Sequence, residues 1–305
     1  SLMMRFNKFS LYIIPFAMAA IFIRVFLDSR TAFITHVTMI LVCAVEVRYQ
    51  YEFVIIQIVG GLVAIYSLRE LSKRSQIYLT AVLVTLASTV VYLAIQLIQS
   101  DDPSKLDQSM YIYFAINGFF LLFTYPLMLV IEKAFGFTST VTLFELSNTN
   151  NYLLRRLSEV APGTFQHSIM VGNLAAEIAN RIGAKAHLVR TGALYHDIGK
   201  MANPAFFTEN QAGVNPHEKL SCQESARIII SHVSEGTRLA EKFNLPSAIR
   251  EFITTHHGKG LASFFYVSYK NEHPDEEVDE TLFRYPGPNP STLEQAILMM
   301  CDSVE

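Results

Sequence analysis

Tyr195-His196-Asp197-Ile198-Gly199-Lys200 is the stretch from which the rest of the chain can be read. An imidazole and a carboxylate sit on adjacent residues, followed by a glycine that can end a helix and by a lysine. Both His and Asp ligate metals, and a carboxylate has two oxygens with which to bridge a pair of ions. The dipeptide alone is a weak signal. Its weight comes from His167 upstream and from His232, His256, His257 and Asp302 downstream.

The apolar pattern around these residues is helical. Val171, Leu174, Ile178 and Ile182 form one stripe, and His167 lies a turn before Val171 on that face. Ile228, Ile229 and His232 repeat the arrangement, as do Ile249, Ile253 and His256, and Leu298 with Asp302. A single inward histidine is more often a hydrogen-bonded core residue than a ligand. Here histidines and two aspartates point inward from different helices, and buried carboxylates are costly unless paired or metal-bound. A common metal site explains them together. His36, His187, His217 and His273 lack this periodicity and are excluded. Imidazole and carboxylate ligands without thiolate suit Fe or Mn, and leave Zn, Co and Ni open. Cys43, Cys222 and Cys301 show no paired spacing and read as small buried hydrophobes, against a disulfide framework or a cysteine zinc site.

The chain has 305 residues, 51% of them hydrophobic, and the apolar excess is concentrated in the first 131. Apolar runs occupy about 9–27, 31–45, 53–68, 77–99 and 110–131, and a spanning helix needs about 20 mostly apolar residues. The last two runs meet that length, the first and third nearly so, and the second is short. The expected organisation is a transmembrane region of about five spans over 1–131, a juxtamembrane linker over 132–150 and a helical domain over 151–305. Ala17-Met18-Ala19 mimics a signal cleavage site, but the apolar run continues to Leu27 and reads as a span. Arg69, Lys73 and Arg74 follow the third run, whereas Asp101, Asp102 and Asp107 with Lys105 follow the fourth. The positive-inside rule therefore puts 69–76 in the cytoplasm and delivers the helical domain there. An odd number of spans leaves the N-terminus outside, with Arg5 and Lys8 leaning the other way. The linker helix is expected to carry movement from the bilayer to the domain.

Taken in order, the motifs resemble the HD-domain phosphohydrolases, and more closely the seven-transmembrane HD type of bacterial membrane protein. The resemblance covers about 145–305. It runs through Ala161-Pro162-Gly163-Thr164-Phe165-Gln166-His167-Ser168, the Tyr195–Lys200 stretch, Glu209-Asn210-Gln211, Asn215-Pro216-His217 and His232-Val233. It continues with His256-His257-Gly258, Phe283-Arg284-Tyr285-Pro286-Gly287-Pro288 and Asp302-Ser303-Val304-Glu305. The resemblance implies an all-α fold, polytopic membrane helices followed by a cytoplasmic HD domain, in the bacterial inner membrane. It also implies a dinuclear site of two divalent ions, iron or manganese. His167, His196 and Asp302 would hold one ion, His232, His256 and His257 the other, and Asp197 would bridge them. The family has a further span and a large extracellular sensor domain ahead of the remaining spans, so the chain is expected to be truncated at both ends.

Characterised members of the type hydrolyse cyclic di-AMP, and the resemblance implies conversion of this messenger to linear pApA. Asp197 and Lys200 are the expected catalytic residues. Lys200 would stabilise charge on the phosphate or leaving group; a surface lysine at a helix end is the alternative. Asn210, Gln211, Arg284 and Tyr285 are candidate substrate contacts, with loop structure and capping as the alternative. The competing functions are an HD enzyme for cyclic di-GMP or a nucleotide, and a non-catalytic membrane receptor. The cyclic di-GMP type carries Gly-Tyr-Pro soon after its paired histidines, whereas His256-His257 is followed here by Gly258-Lys259-Gly260. A nucleic-acid polymer is not an expected partner, because residues 132–305 are net acidic and carry no basic stripe. Homo-oligomerisation is left open.

Overall fold

The computed structural model describes residues 10–68, 75–99, 108–275 and 277–305. The charges used above for orientation (Arg5, Lys8, Arg69, Lys73, Arg74, Asp101, Asp102, Lys105 and Asp107) lie outside the described residues. The fold is all-α: among the described residues no strand forms, and a single antiparallel bridge joins Leu261 and Arg284. The chain divides into two compact units, Ser1–Val141 and Thr142–Glu305, a boundary that falls within the expected linker.

In the first unit the apolar runs become α1 (Phe16–Phe26), α2 (Ser29–Ala44), α3 (Gln50–Ser67), α4 (Ser75–Gln99), α5 (Ser109–Leu122) and α6 (Thr124–Phe135). Among the described residues, three stretches are long and apolar enough to cross a membrane: Gln50–Ser67, Ser75–Gln99 and Ser109–Phe135. The first two runs give the shorter helices Leu11–Phe26 and Ser29–Ala44. The last run is divided into α5 and α6 at Phe123, where Pro126 has no N–H to donate to the Leu122 carbonyl. On α4, Leu79, Val82, Leu86, Val90, Leu93 and Leu97 stand exposed at helical spacing, the outward apolar stripe that a lipid-facing helix requires. Polar groups turn inward: Ser67 Oγ and Thr80 Oγ1 are 2.8 Å apart, and His36 Nε2 donates to the Gln57 carbonyl at 2.8 Å. Gly61 permits that approach, since a Cβ there would fall about 2 Å from the His36 ring.

The second unit follows α7 (Thr140–Leu146) with α8 (Tyr152–Val160), α9 (Pro162–Ile182), α10 (Ala186–Tyr195), α11 (Cys222–Lys242), α12 (Ser247–Thr255), α13 (Ser263–Glu272) and α14 (Leu293–Val304). Asn151 caps α8, its Oδ1 accepting from Leu153 N, and Pro162 occupies the first turn of α9, where its missing N–H costs nothing. One core gathers Leu153, Leu154, Leu157, Tyr195, Ile198, Ile249 and Ile253. A second gathers Val171, Ala175, Ala179, Ala193, Phe252 and Leu298.

The inward face of α9 differs from the expected stripe. Its buried line is Thr164, Ser168, Val171, Gly172, Ala175 and Ala179, while Leu174 and Ile182 are exposed. Small residues win this face because α10 and α14 pack closely against it, and bulkier side chains are turned outward. All three cysteines are free, and Cys301 is buried.

Candidate metal centre

Asp197 lies where α10 gives way to the tight turn Ile198–Ala202, and its carboxylate is nearly inaccessible to solvent. Its two oxygens face different neighbours. Oδ2 lies 3.2 Å from His196 Nε2, 3.9 Å from His167 Nε2 and 2.8 Å from Lys200 Nζ. Oδ1 lies 3.4 Å from His232 Nε2 and 3.6 Å from His256 Nε2, and accepts no hydrogen bond. Asp302, from α14, sets Oδ1 at 3.0 Å from His167 Nε2 and 3.3 Å from His196 Nε2, with Oδ2 at 4.0 Å from His257 Nδ1. The structure thus brings all seven residues into two adjoining groups: His167, His196, Asp197 and Asp302, and His232, His256 and His257.

Helix geometry aims the imidazoles. His196 Nδ1 donates to the Ala193 carbonyl at 2.6 Å, His232 Nδ1 to Ile229 at 2.6 Å and His256 Nδ1 to Ile253 at 2.8 Å. Each bond reaches back along the same helical turn. Each fixes a proton on Nδ1, so that the ring in its neutral form turns the Nε2 lone pair into the cluster, the tautomer a metal ligand needs. His232 Nε2 and His256 Nε2 approach to 3.0 Å. Two converging lone pairs beside an unpartnered carboxylate oxygen are poor company for one another and good company for a cation. The donor set therefore fits divalent ions in both groups.

The charges sort the two groups differently. Burial opposes protonation of His196, but Asp197 and Asp302 outweigh it and hold the ring up to about 10. Burial brings His232 down to about 4, against the pull of Asp197. Burial, with His256 and His232, brings His257 down to about 2. His232 and His257 are thus neutral imidazoles at physiological pH, ready to ligate, whereas a cation entering the first group competes with a proton. Asp197 stays well below the usual carboxylate range despite burial, held there by His196 and Lys200.

Lys200 is not a surface lysine. Its ammonium lies half-buried between Asp197 Oδ2 and Glu209 Oε1, at 2.8 and 2.9 Å, with the Phe207 ring 5.0 Å away. Burial works against the charge, and the two carboxylates more than restore it, raising the pKa above the ordinary lysine value.

The four candidate substrate contacts separate. Asn210 Oδ1 accepts from Gly163 N at 2.9 Å and Thr164 N at 3.2 Å, and its Nδ2 donates to Thr164 Oγ1 at 2.7 Å. It caps α9 from a distant segment, because Ala161 at the N-cap has no side chain to do so. Asn210→Ala is expected to lower stability by about 0.5–2 kcal/mol, read as a lower melting temperature. Gln211 follows in the same turn, half-buried. Arg284 is exposed and spends its guanidinium on Glu280 Oε2 at 2.5 Å and the Lys259 carbonyl at 3.2 Å. Tyr285 reaches the cluster, its ring stacked on His257 at 4.2 Å.

Sequence reading assigned no site role to Glu209, Phe207 or Glu305. Glu209 pairs with Lys200 and accepts from Thr164 Oγ1 at 2.9 Å, and Glu305 pairs with His167 Nδ1. A periodicity search finds inward residues on helices; Phe207 and Glu209 lie in short turns without a period. The excluded histidines stay apart: His187 packs on Phe144, His217 Nε2 donates to the Phe206 carbonyl, and His273 Nδ1 to the Tyr269 carbonyl.

Residues 1–139 match the family described as 7TM receptor with intracellular HD hydrolase, and residues 164–305 match the HD domain. The chain is 36% identical over 312 residues to the cyclic-di-AMP phosphodiesterase PgpH of Bacillus subtilis (strain 168), covering 99% of this chain and 43% of that protein. Identity to PgpH of Listeria monocytogenes serotype 1/2a (strain 10403S) is 36% over 299 residues, covering 96% and 41%. The chain therefore spans less than half the length of these curated relatives. The crystal structure of the L. monocytogenes PgpH HD domain in complex with cyclic-di-AMP is 44% identical, with 52% of this chain and 73% of that chain covered and a TM-score of 0.49. With the first unit matched by a seven-transmembrane region and the metal centre lying within a matched HD domain, the chain belongs to the family of membrane proteins that carry an intracellular HD hydrolase.

Proposed function

We propose that this chain is the membrane-anchored catalytic part of a phosphodiesterase that hydrolyses cyclic di-AMP to pApA. Its HD domain would face the cytoplasm of a bacterial cell from the inner membrane, with 1–131 as anchor, 132–150 as linker and 151–305 as the HD domain. The observation that carries the chemistry is the divided carboxylate of Asp197, one oxygen toward each group of ligands. The cyclic di-AMP assignment draws on the two PgpH relatives.

His167, His196 and Asp302 would hold one divalent ion, His232, His256 and His257 a second, and Asp197 would serve both, with iron or manganese suited to this donor set. Such a pair supplies Lewis acidity to phosphoryl oxygens and lowers the pKa of water for in-line attack. In the overall reaction a water oxygen bonds to phosphorus, one P–O3′ bond breaks, and the ribose 3′ oxygen takes a proton. The chain's own residues orient and balance charge. The backbone carbonyls of Ala193, Ile229 and Ile253 lock three imidazoles in register. Lys200 has three N–H donors, of which Asp197 and Glu209 engage two, leaving one to meet a phosphoryl oxygen. Asn210 and Gln211 directly follow Glu209, which holds Lys200, and would meet a substrate only from that turn.

The test is to load the purified full chain with Mn²⁺ or Fe²⁺ and follow cyclic di-AMP, cyclic di-GMP and mononucleotides in parallel. Preferential turnover of cyclic di-AMP with pApA as product is expected. Turnover of the guanine dinucleotide or of mononucleotides alone would move the chain to a different HD activity, and no turnover by a fully loaded sample would remove the enzymatic reading.

A further inference from the structure

The imidazoles of the cluster are not all held alike. His196, His232 and His256 are each tethered by an Nδ1 hydrogen bond to a carbonyl of their own helix, and His167 Nδ1 pairs with Glu305. His257 is different. It follows the end of α12, where the chain turns through a left-handed Gly258, and it presents Nδ1 toward the cluster. Among the described residues, neither of its ring nitrogens makes a hydrogen bond. What covers the ring is Tyr285, stacked at a centroid distance of 4.2 Å and an interplanar angle of 28°. The same tyrosine meets His232 edge-on at 6.1 Å.

Tyr285 is held in turn by a strap. Tyr285 N donates to the Gly260 carbonyl at 2.9 Å and Ala262 N to the Phe283 carbonyl at 2.8 Å, closing the antiparallel bridge between Leu261 and Arg284. Arg284 adds a bond to the Lys259 carbonyl, and Lys259 N donates to Asn289 Oδ1 at 2.9 Å. The strap therefore grips the turn that immediately follows His257. Its register is set by Phe283, fully buried against Tyr266 and Tyr269. Phe283 closes the short turn Glu280–Phe283 and Arg284 continues it in extended conformation, so anchoring Phe283 fixes where Tyr285 emerges.

We propose that Tyr285 is a positioning residue for His257: its ring, carried by the strap, replaces the backbone tether that His196, His232 and His256 have. Arg284 then belongs to the strap, and Tyr285 serves the metal group and not the nucleobase. This rests on the two-ion reading above.

The test uses the full chain, titrated with Mn²⁺ by calorimetry and electron paramagnetic resonance. Wild type is expected to take two ions and give a spin-coupled pair. Tyr285→Leu and Tyr285→Ala should bind the second ion about 10-fold more weakly, the lower end for loss of a residue that orients a ligand. They should leave the first ion unchanged, which also certifies the fold. Tyr285→Phe keeps the flat ring and should stay within about twofold of wild type on the same scale. Unchanged second-ion affinity in the Leu and Ala variants, with only KM for a cyclic dinucleotide raised, would overturn the proposal in favour of base stacking. A Phe variant as weak as Leu would overturn it by assigning the role to the hydroxyl. A wild-type chain that takes one ion overturns the two-ion reading itself, and this role with it.

Discussion

Asp197→Asn is expected to lower phosphodiester hydrolysis by about 10³-fold, well beyond the roughly 10–100-fold cost of losing an outer-shell partner, and to cut bound metal from two ions to one or none. The amide keeps the shape of the carboxylate and removes its charge. It also has a single acceptor oxygen, which can serve the His167–His196 side or the His232–His256 side but not both. The other side then faces an NH₂ group that cannot ligate. Lys200 loses one of its two carboxylate partners and keeps Glu209, so the fold should persist. Metal analysis of the purified variant measures stoichiometry, and thermal melts with and without Mn²⁺ measure linkage. Wild type at 100 times Kd should gain about 2.7 kcal/mol, whereas the Asn variant should gain little. A variant that retains two ions would show that Asp197 is not shared.

Gly199→Ala is expected to be the most damaging small substitution in the domain. Gly199 does not adopt a left-handed backbone, so it is not there for conformational freedom. Its role is steric. A Cβ at this position would lie 1.8 Å from the His232 carbonyl oxygen and 2.5 Å from Gly236 N, both backbone atoms of α11. Backbone in mid-helix cannot swing aside as a side-chain tip can. The cost should reach at least the upper end of overpacking, about 3 kcal/mol, or roughly 6–12 °C in melting temperature for a domain of this size. The strain falls between Asp197 and His232, now 3.4 Å apart, so metal affinity should fall with stability. Gly172→Ala is the control: its Cβ would meet the Ala193 Cβ at 3.4 Å, and it should shift stability by no more than about 1 kcal/mol. Wild-type melting and metal binding in Gly199→Ala would overturn this reading.

Gly199 also shows how the sequence can be right about a residue's importance and wrong about its reason. Read locally, it is a helix stop; in the fold it is the point where two backbones pass. Lys200 follows the same pattern. Its place one turn beyond His196 left a helix-end surface lysine open, and only the turn carrying Phe207 and Glu209 shows it enclosed. For α9 the helix was legible and its inward face was not. Hydrophobicity favoured Leu174 and Ile182, but neighbouring helices accept only the smaller residues at the contact. Asn210 presented itself as a cleft residue, and its amide is committed to the N-terminus of α9.

The sequence by itself determined the helical class, the apolar first unit and the seven residues that the second unit assembles. The helical class and the inward places of His167, His232, His256 and Asp302 are written in periodicity, because a helix must repeat its buried face every three to four residues, while His196, Asp197 and His257 were read from adjacent pairs. Only the tertiary structure decided that Asp197 divides its oxygens between two groups, that Lys200 lies between two carboxylates, and that Tyr285 covers His257. Those facts depend on contacts between segments far apart in the chain, made by turns and straps that have no period to read.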